Sequence, residues 1–124
     1  MTYEIERTDE FTVWWDDLSE KEQIEIAKIV GVLVEKGPNL KRPYVGKIEG
    51  SKKIPNLKEL IIQFAGDPYR VFFMFDARKV GILLLGAMKS GGKKVEAAWY
   101  KARIAEVESI YDRYVAELKN EGLI

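Results

Sequence analysis

Four residues in the second half of the chain have the types and surroundings that acid–base or anion-binding chemistry needs. The first is Arg70, which lies inside the apolar run Tyr69–Asp76. A buried cation without a partner would be too costly there. Arg70 is therefore exposed, paired across the strands with a carboxylate such as Glu59, or available to a phosphate. The sequence leaves pairing and phosphate binding equally open.

The other three candidates are Lys89, Tyr100 and Arg103. Lys89 precedes Ser90-Gly91-Gly92, a break at which backbone N–H groups could meet a phosphate, although an ordinary lysine at a strand end fits too. Tyr100 and Arg103 are three residues apart and share one face of a helix, with Glu96 beside them. Because a tyrosine holds its proton up to high pH, Tyr100 is better suited to donate a proton than to accept one.

The residues that the chain lacks narrow its chemistry. Among its 124 residues there is no histidine and no cysteine. This excludes a thiolate nucleophile, a disulfide framework and a cysteine zinc site, and removes the commonest general base. Any catalysis must use carboxylate, Lys, Tyr or Arg. The acidic residues Glu106, Glu108 and Asp112 lack the context of metal ligands, so we expect no metal and no cofactor.

Charges of opposite sign are segregated along a chain whose formal net charge is zero. Residues 9–25 are acidic, whereas residues 41–58 and 89–103 are basic. Such blocks give a neutral protein the basic surface that a polyanion requires, although solvated faces that compensate one another would show the same pattern.

Length and hydropathy predict one soluble domain. No apolar run approaches the roughly 20 residues that cross a bilayer, and the start of the chain lacks the pattern of a signal peptide. We therefore expect a cytoplasmic protein that does not bind membranes.

The elements that position the candidate residues begin with a short strand and two helices. A strand is predicted within residues 2–7, followed by a helix capped by Thr8 or Asp9. Ser19 and Glu22 form a capping box that opens the second helix, and Gly37-Pro38 ends it. Residues 39–56 read as a loop with at most one short strand.

Three strands and a final helix follow. The strands are predicted at residues 57–64, 69–76 and 80–87, with turns at Asp67-Pro68 and at Ala77-Arg78-Lys79. The last strand is apolar enough to be covered on both faces. The helix is predicted over residues 93–118. The order β-α-α-β-β-β-α predicts an α+β fold in which a helical hairpin and a C-terminal helix pack on a twisted antiparallel sheet.

With these elements placed, the chain resembles the bacterial RelE/ParE-superfamily toxins, in particular their HigB-like branch. The resemblance covers almost the whole chain as a single domain, residues 1–124. The segments that match the family, in chain order, are Thr8-Asp9-Glu10-Phe11, Trp14-Trp15, Gly37-Pro38, Leu40, Arg42-Pro43, Gly50-Ser51, Pro55-Asn56-Leu57-Lys58-Glu59-Leu60, Arg70-Val71-Phe72-Phe73, Phe75-Asp76, Gly86, Lys89, Tyr100 and Ile110-Tyr111-Asp112.

The resemblance implies a toxin of a type II toxin–antitoxin system. It implies an mRNA interferase, an endoribonuclease that cuts mRNA on the ribosome without a metal, inhibits translation and is silenced by a helix-turn-helix antitoxin. The catalytic candidates it implies are Arg70, Lys89, Tyr100 and Arg103. The candidate RNA contacts are Lys52, Lys53, Lys58, Lys93 and Lys94.

Several positions depart from the family pattern. Ile61, Phe64, Ala65 and Asp67 stand where relatives often carry basic residues or histidine, and Tyr114 stands where a histidine is common. A ParE-like inhibitor of DNA gyrase, or a non-catalytic binding protein of the same fold, therefore stays open beside the nuclease. The sequence does not indicate whether two copies associate.

Overall fold

The computed structural model of the protein describes residues 1–89 and 92–124. Its elements are β1 (Ile5–Arg7), α1 (Asp9–Asp16), α2 (Glu20–Lys36), β2 (Val45–Lys47), β3 (Lys58–Phe64), β4 (Asp67–Phe75), β5 (Gly81–Met88) and α3 (Glu96–Asn120), with short 3-10 helices at Gly37–Asn39 and Lys93–Val95. The predicted α+β order is confirmed, and β2 is the short strand allowed for in the loop. Of the predicted break at Ser90-Gly91-Gly92, the first two residues lie outside the described ones.

The five strands form one sheet in the order β1-β5-β4-β3-β2. Strands β2 to β5 pair antiparallel, as the predicted meander requires. β1 differs, because it runs parallel to β5, with Ile5 opposite Gly81. The sheet is therefore mixed. The α1–α2 hairpin connects β1, at one edge of the sheet, to β2 at the opposite edge.

Helices cover both faces of the sheet. One core joins Phe11 of α1 and Ile26 of α2 to Leu60 and Val71. The other joins Val107 and other residues of α3 to the opposite sides of β4 and β5, around Phe72 and Leu84. Because successive side chains of a strand point to opposite faces, each strand contributes alternate residues to the two cores. Within the described residues no helix is both long and apolar enough to cross a membrane.

The helix ends follow the local signals of the sequence. The hydroxyl of Thr8 accepts a hydrogen bond from the backbone N–H of Phe11, at 3.1 Å, and so caps α1. Ser19 and Glu22 make the two reciprocal bonds of the predicted capping box. α2 ends at Gly37, whose φ of 62° is one that a side chain would disfavour.

The predicted turn at Asp67-Pro68 is wrong. The β3–β4 hairpin turns at Ala65-Gly66, where φ is 53° and 83°, and Phe64 pairs directly with Asp67. Two consecutive positive φ values produce the twist that a two-residue hairpin needs. Pro68 belongs to β4, so the hairpin is tighter than the proline suggested.

A β-bulge interrupts the pairing of β4 with β5. Phe72 lies opposite Leu85, but Phe73 lies opposite Leu83, so Leu84 is an extra residue on β5. The extra residue reverses the alternation of the strand beyond it. Leu85 therefore packs on the α3 side of the sheet although Leu83 packs on the other.

Candidate functional site

The centre of the candidate site is Glu59, a carboxylate that is only 7% exposed. It lies on β3 opposite Phe72, with its side chain on the face that α3 covers. Burial raises the pKa of the Glu59 carboxyl above its ordinary value, against the opposing effects of a hydrogen bond from Tyr100 and the charges of Arg70 and Lys89. A carboxylate with a raised pKa is a stronger base than an exposed one, as a general base requires.

Tyr100 reaches Glu59 from the second turn of α3. Its hydroxyl lies 2.8 Å from one carboxylate oxygen of Glu59 and 3.1 Å from the other. Burial and then this hydrogen bond raise the pKa of Tyr100 to about 12. The hydroxyl is therefore protonated at neutral pH and donates to Glu59, which fixes the orientation of the carboxylate.

Arg70 is held beside the same carboxylate. Its Nε lies 3.4 Å from Glu59 Oε1, and its Nη1 donates to the backbone oxygen of Tyr69 at 2.9 Å. Nε is buried and has no hydrogen-bond partner among the described residues. A guanidinium has five N–H donors. The pairing alternative of the sequence is thus realised, and donors are left over for a further anion.

Lys89 completes the cluster at the end of β5. Its Nζ lies 2.5 Å from Glu96 Oε1 and 5.3 Å from the centre of the Tyr100 ring, over its face. The bulge at Leu84 brings this side chain to the α3 face, where Arg70 and Glu59 also lie. The pKa of the Glu96 carboxyl is lowered by the hydrogen bond from Lys89 and by its charge.

Arg103, the fourth catalytic candidate, points elsewhere. Its Nε lies 3.2 Å from Glu106, and its guanidinium carbon lies 5.9 Å from the centre of the Trp99 ring. It has no ion pair or hydrogen bond to the cluster of Glu59, Arg70, Lys89 and Tyr100 among the described residues.

The predicted RNA-binding lysines are dispersed. Lys53 forms an ion pair with Asp112 at 2.7 Å, and Lys52 is exposed beside it. Lys58 donates to the backbone oxygen of Pro38, at 3.1 Å, on the face of the sheet opposite Glu59. Lys93 and Lys94 are exposed in the 3-10 helix before α3. None of the five lies against the Glu59 carboxylate.

A groove of about 390 Å³ gives access to the cluster. Its lining residues are Lys47, Ile48, Glu49, Glu59, Glu96 and Tyr100. Gly46, which pairs with Glu59 across β2 and β3, forms the adjoining wall. A Cβ placed on Gly46 would lie 3.2 Å from Glu59 Oε2 and 3.6 Å from Arg42 Nη2. The absence of a side chain at Gly46 therefore keeps the space around the carboxylate open.

Sequence reasoning named Glu59 only as a partner for Arg70 and missed it as the centre of the site. The sequence does contain one indication of this role. Glu59 lies within a predicted apolar strand, where a buried carboxylate requires hydrogen-bond or ion-pair partners as much as Arg70 does. Nothing in the sequence indicated that Tyr100 would supply one of them. In the part of the chain that the structure describes, no three acidic residues converge as a metal site would require.

The family of the chain follows from comparison with known proteins. The family described as "Phage derived protein Gp49-like (DUF891)" matches residues 13–112. The chain belongs to this family. It is also 32% identical over 109 residues to "Putative toxin HigB3" of Mycobacterium tuberculosis, an alignment that covers 88% of this chain and 90% of that protein.

Solved structures of the RelE type share the fold of this Gp49-like chain. The isolated RelE toxin of E. coli superposes with a TM-score of 0.56 at 14% identity, covering 81% of this chain and 98% of that one. RelE from the RelE–RelB complex of Pyrococcus horikoshii gives 0.51 at 20% identity, covering 71% and 96%. The resemblance to the RelE/ParE superfamily and its HigB-like branch is confirmed.

Proposed function

We propose that this Gp49-like protein is the toxin of a type II toxin–antitoxin system and an mRNA interferase that inhibits translation. It would cut mRNA on the ribosome, in the cytoplasm, without a metal or cofactor. The observation that supports this proposal is the buried Glu59 carboxylate, which Tyr100 orients, with Arg70 beside it and Lys89 over the ring of Tyr100. A general base next to cations is what attack of a ribose 2′-hydroxyl on its own phosphate needs.

Glu59 is the proton acceptor in the proposed reaction. Its carboxylate removes the proton of the 2′-hydroxyl while the oxygen attacks the adjacent phosphorus. The bond from phosphorus to the 5′-oxygen of the next nucleotide then breaks, which leaves a 2′,3′-cyclic phosphate and a 5′-hydroxyl. Because the pKa of Glu59 is raised by burial, the carboxylate is a stronger base than an exposed one.

Arg70 and Lys89 stabilise the charge that develops on the phosphate. Both lie on the same face of the sheet as Glu59, and the spare N–H groups of Arg70 suit the geometry of phosphate oxygens. Lys89 is also the proposed donor of a proton to the leaving 5′-oxygen. Tyr100 acts through Glu59 as a positioning residue, since its hydroxyl is bound to the carboxylate.

The proposed partners are the ribosome with its mRNA and an antitoxin with a helix-turn-helix domain. The antitoxin is supported by the RelE–RelB complex, in which a chain of the same fold is bound to a second protein. A gene for such a small protein beside this one would support the toxin assignment over an inactive module.

A binding protein of the same fold, such as a ParE-like inhibitor of gyrase, is the second candidate. One observation favours it: Arg70 and Lys89 each lie against a carboxylate, so the positive charge of the cluster is already paired. A phosphate would have to displace Glu96 from Lys89 before it could bind there.

Pulse expression in growing cells with primer-extension mapping of transcripts tests the nuclease. We expect cuts within codons that disappear in Glu59→Gln and Arg70→Ala variants. Lys21→Gln, a change on the exposed acidic side of α2, serves as the matched control and retains the cuts. Intact mRNA together with double-strand breaks in DNA would reject the interferase and support the gyrase inhibitor.

A further inference from the structure

A second cluster of cations lies at the β2 edge of the sheet, apart from the Glu59 cluster. Lys41, Arg42, Lys47 and Lys58 surround a pocket of about 510 Å³ that also contacts the end of α2 at Pro38 and Leu40. Glu49 is the single acidic residue among the lining residues.

The cations of this basic pocket form no ion pair among the described residues, although the charge of Arg42 opposes the rise in the pKa of Glu59. None of the ion pairs within residues 1–89 and 92–124 includes Lys41, Arg42, Lys47 or Lys58. Arg70, Arg78 and Lys89, by contrast, each form an ion pair. Four cations without an ion pair therefore line one pocket and give it a positive potential.

The pKa of Lys58 reflects the positive potential of the pocket. Its stem is partly buried on β3 and its ammonium group reaches only the backbone oxygen of Pro38. Burial, followed by repulsion from Lys47 and Lys41, lowers the pKa of Lys58. A bound anion would relieve this repulsion, since it would supply the opposite charge that the described residues do not.

The basic pocket and the Glu59 cluster meet at Gly46. Lys47 and Lys58 are each one residue from the pair Gly46–Glu59, so their side chains start from the opposite face of the sheet, and Lys47 also lines the groove beside Glu59. Arg42 lines the basic pocket and also reaches toward Glu59, because a Cβ placed on Gly46 would lie 3.6 Å from Arg42 Nη2 and 3.2 Å from Glu59 Oε2. An extended polyanion that crosses the β2 edge of the sheet at Gly46 would contact both the basic pocket and the Glu59 cluster.

We propose that the basic pocket binds a backbone phosphate of an RNA strand, next to the phosphate held at the Glu59 cluster. The strand crosses the edge of the sheet at Gly46, where no side chain obstructs it. This proposal rests on the proposed function for the identity of the polyanion. It adds Lys41, Arg42 and Lys47 to the RNA-binding residues and sets Lys58 apart from Lys52 and Lys53.

Equilibrium binding of a fluorescent, fully 2′-O-methylated RNA oligonucleotide tests the pocket, because this probe cannot be cleaved. Binding is measured over a series of salt concentrations for the unmodified protein and for Lys41→Gln and Lys47→Gln. Both lysines are exposed, and glutamine retains most of the stem, so the fold is expected to survive. Lys21→Gln removes the same charge from the acidic side of α2 and is the matched control.

Each pocket variant is expected to weaken binding about threefold or more and to reduce the slope of log K against log salt by about 0.7, the value for one single-strand phosphate contact. Lys21→Gln is expected to change neither. Pocket variants that bind like the unmodified protein, or a protein that does not bind the probe at low salt, would overturn the proposal.

A measurement on single lysine side chains tests the binding proposal for the basic pocket independently of the proposed nuclease activity. NMR of ¹³C-labelled lysine side chains is expected to show the titration of Lys58 moving to higher pH when the oligonucleotide is added. Inorganic phosphate in place of the oligonucleotide shows whether a free phosphate is sufficient. Binding with these properties in a protein that leaves mRNA intact would reject the interferase but retain the pocket, whereas cleavage without any effect of Lys41 and Lys47 would do the reverse.

Discussion

The hydroxyl of Tyr100 lies within 3.1 Å of both carboxylate oxygens of Glu59 and connects α3 to the start of β3. These two residues are 41 positions apart, and each shifts the pKa of the other in the opposite direction. Glu59 holds the proton on Tyr100, while Tyr100 lowers the pKa that burial has raised on Glu59. The proposed chemistry depends on this contact.

Tyr100→Phe is expected to decrease mRNA cleavage about tenfold or more without unfolding the protein. Loss of the hydrogen bond raises the pKa of Glu59 further, so the rise of activity with pH moves to higher pH. The measurement is a pH profile of cleavage on purified ribosomes. Tyr111→Phe, another partly buried tyrosine of α3, is the control; an unchanged profile for Tyr100→Phe would show that the contact does not serve catalysis.

Glu59 also makes stability depend on pH. Its folded-state pKa lies above the unfolded value of about 4.5, so the folded protein holds this proton more tightly. The contribution of Glu59 to the free energy of unfolding is therefore present below pH 4.5 and is lost as the pH rises through the folded-state pKa. Urea denaturation of the protein and of Glu59→Gln over this range is expected to show the loss in the former alone.

Gly46→Ala is expected to impair cleavage more than stability. The new Cβ would lie 3.2 Å from Glu59 Oε2, close enough to displace the carboxylate by a few tenths of an ångström. Gly31→Ala, in α2 with no atom within 4 Å of its Cβ position, is the control and is expected to stabilise by about 0.5–1 kcal/mol. Cleavage assays beside urea denaturation test both, and full activity of Gly46→Ala would contradict the assigned role of the glycine.

Glu96→Gln is expected to strengthen binding of the uncleavable oligonucleotide severalfold. The variant removes the carboxylate that lies 2.5 Å from Lys89 Nζ and with which a phosphate must compete. Glu25→Gln, which removes the partner of Lys28 on α2, is the matched change of charge. Equal effects of the two variants would mean that Lys89 does not bind the strand.

Tyr69→Phe is expected to decrease the free energy of unfolding by about 1 kcal/mol at neutral pH. The hydroxyl of Tyr69 donates to Glu22 at 2.6 Å, and this bond is the main cause of the lowered pKa of the Glu22 carboxyl. Because that pKa is lowered, the stabilisation exists above pH 4.5 and disappears as the pH falls through the folded-state value. The difference should therefore shrink in acid, while Tyr44→Phe, at an exposed tyrosine, has little effect at either pH.

Much of the fold could be predicted because its signals are local. The capping box of Ser19 and Glu22 and the stop at Gly37 act within one helical turn, and the structure contains both. The hairpin was recognised from its two apolar strands, but its turn was misplaced. The sequence favours Asp67-Pro68 over Ala65-Gly66 because alanine seldom has a positive φ and proline is a stronger turn signal.

By itself, the sequence determined the family, the order of elements and the three residues Arg70, Lys89 and Tyr100 that the structure brings to one cluster. Only the tertiary structure decided that the side chain of Lys89 lies on the same face of the sheet as Arg70 and that the side chain of Lys58 lies on the other face. The run from Ile82 to Leu85 is apolar throughout, since β5 is buried on both faces, and such a strand shows no alternation from which its direction can be read. The sequence therefore does not predict the bulge at Leu84, yet the bulge sets the face on which Lys89 contacts Glu96 and Tyr100. The partner of that carboxylate, Tyr100, is decided in the same way by how α3 packs across the sheet.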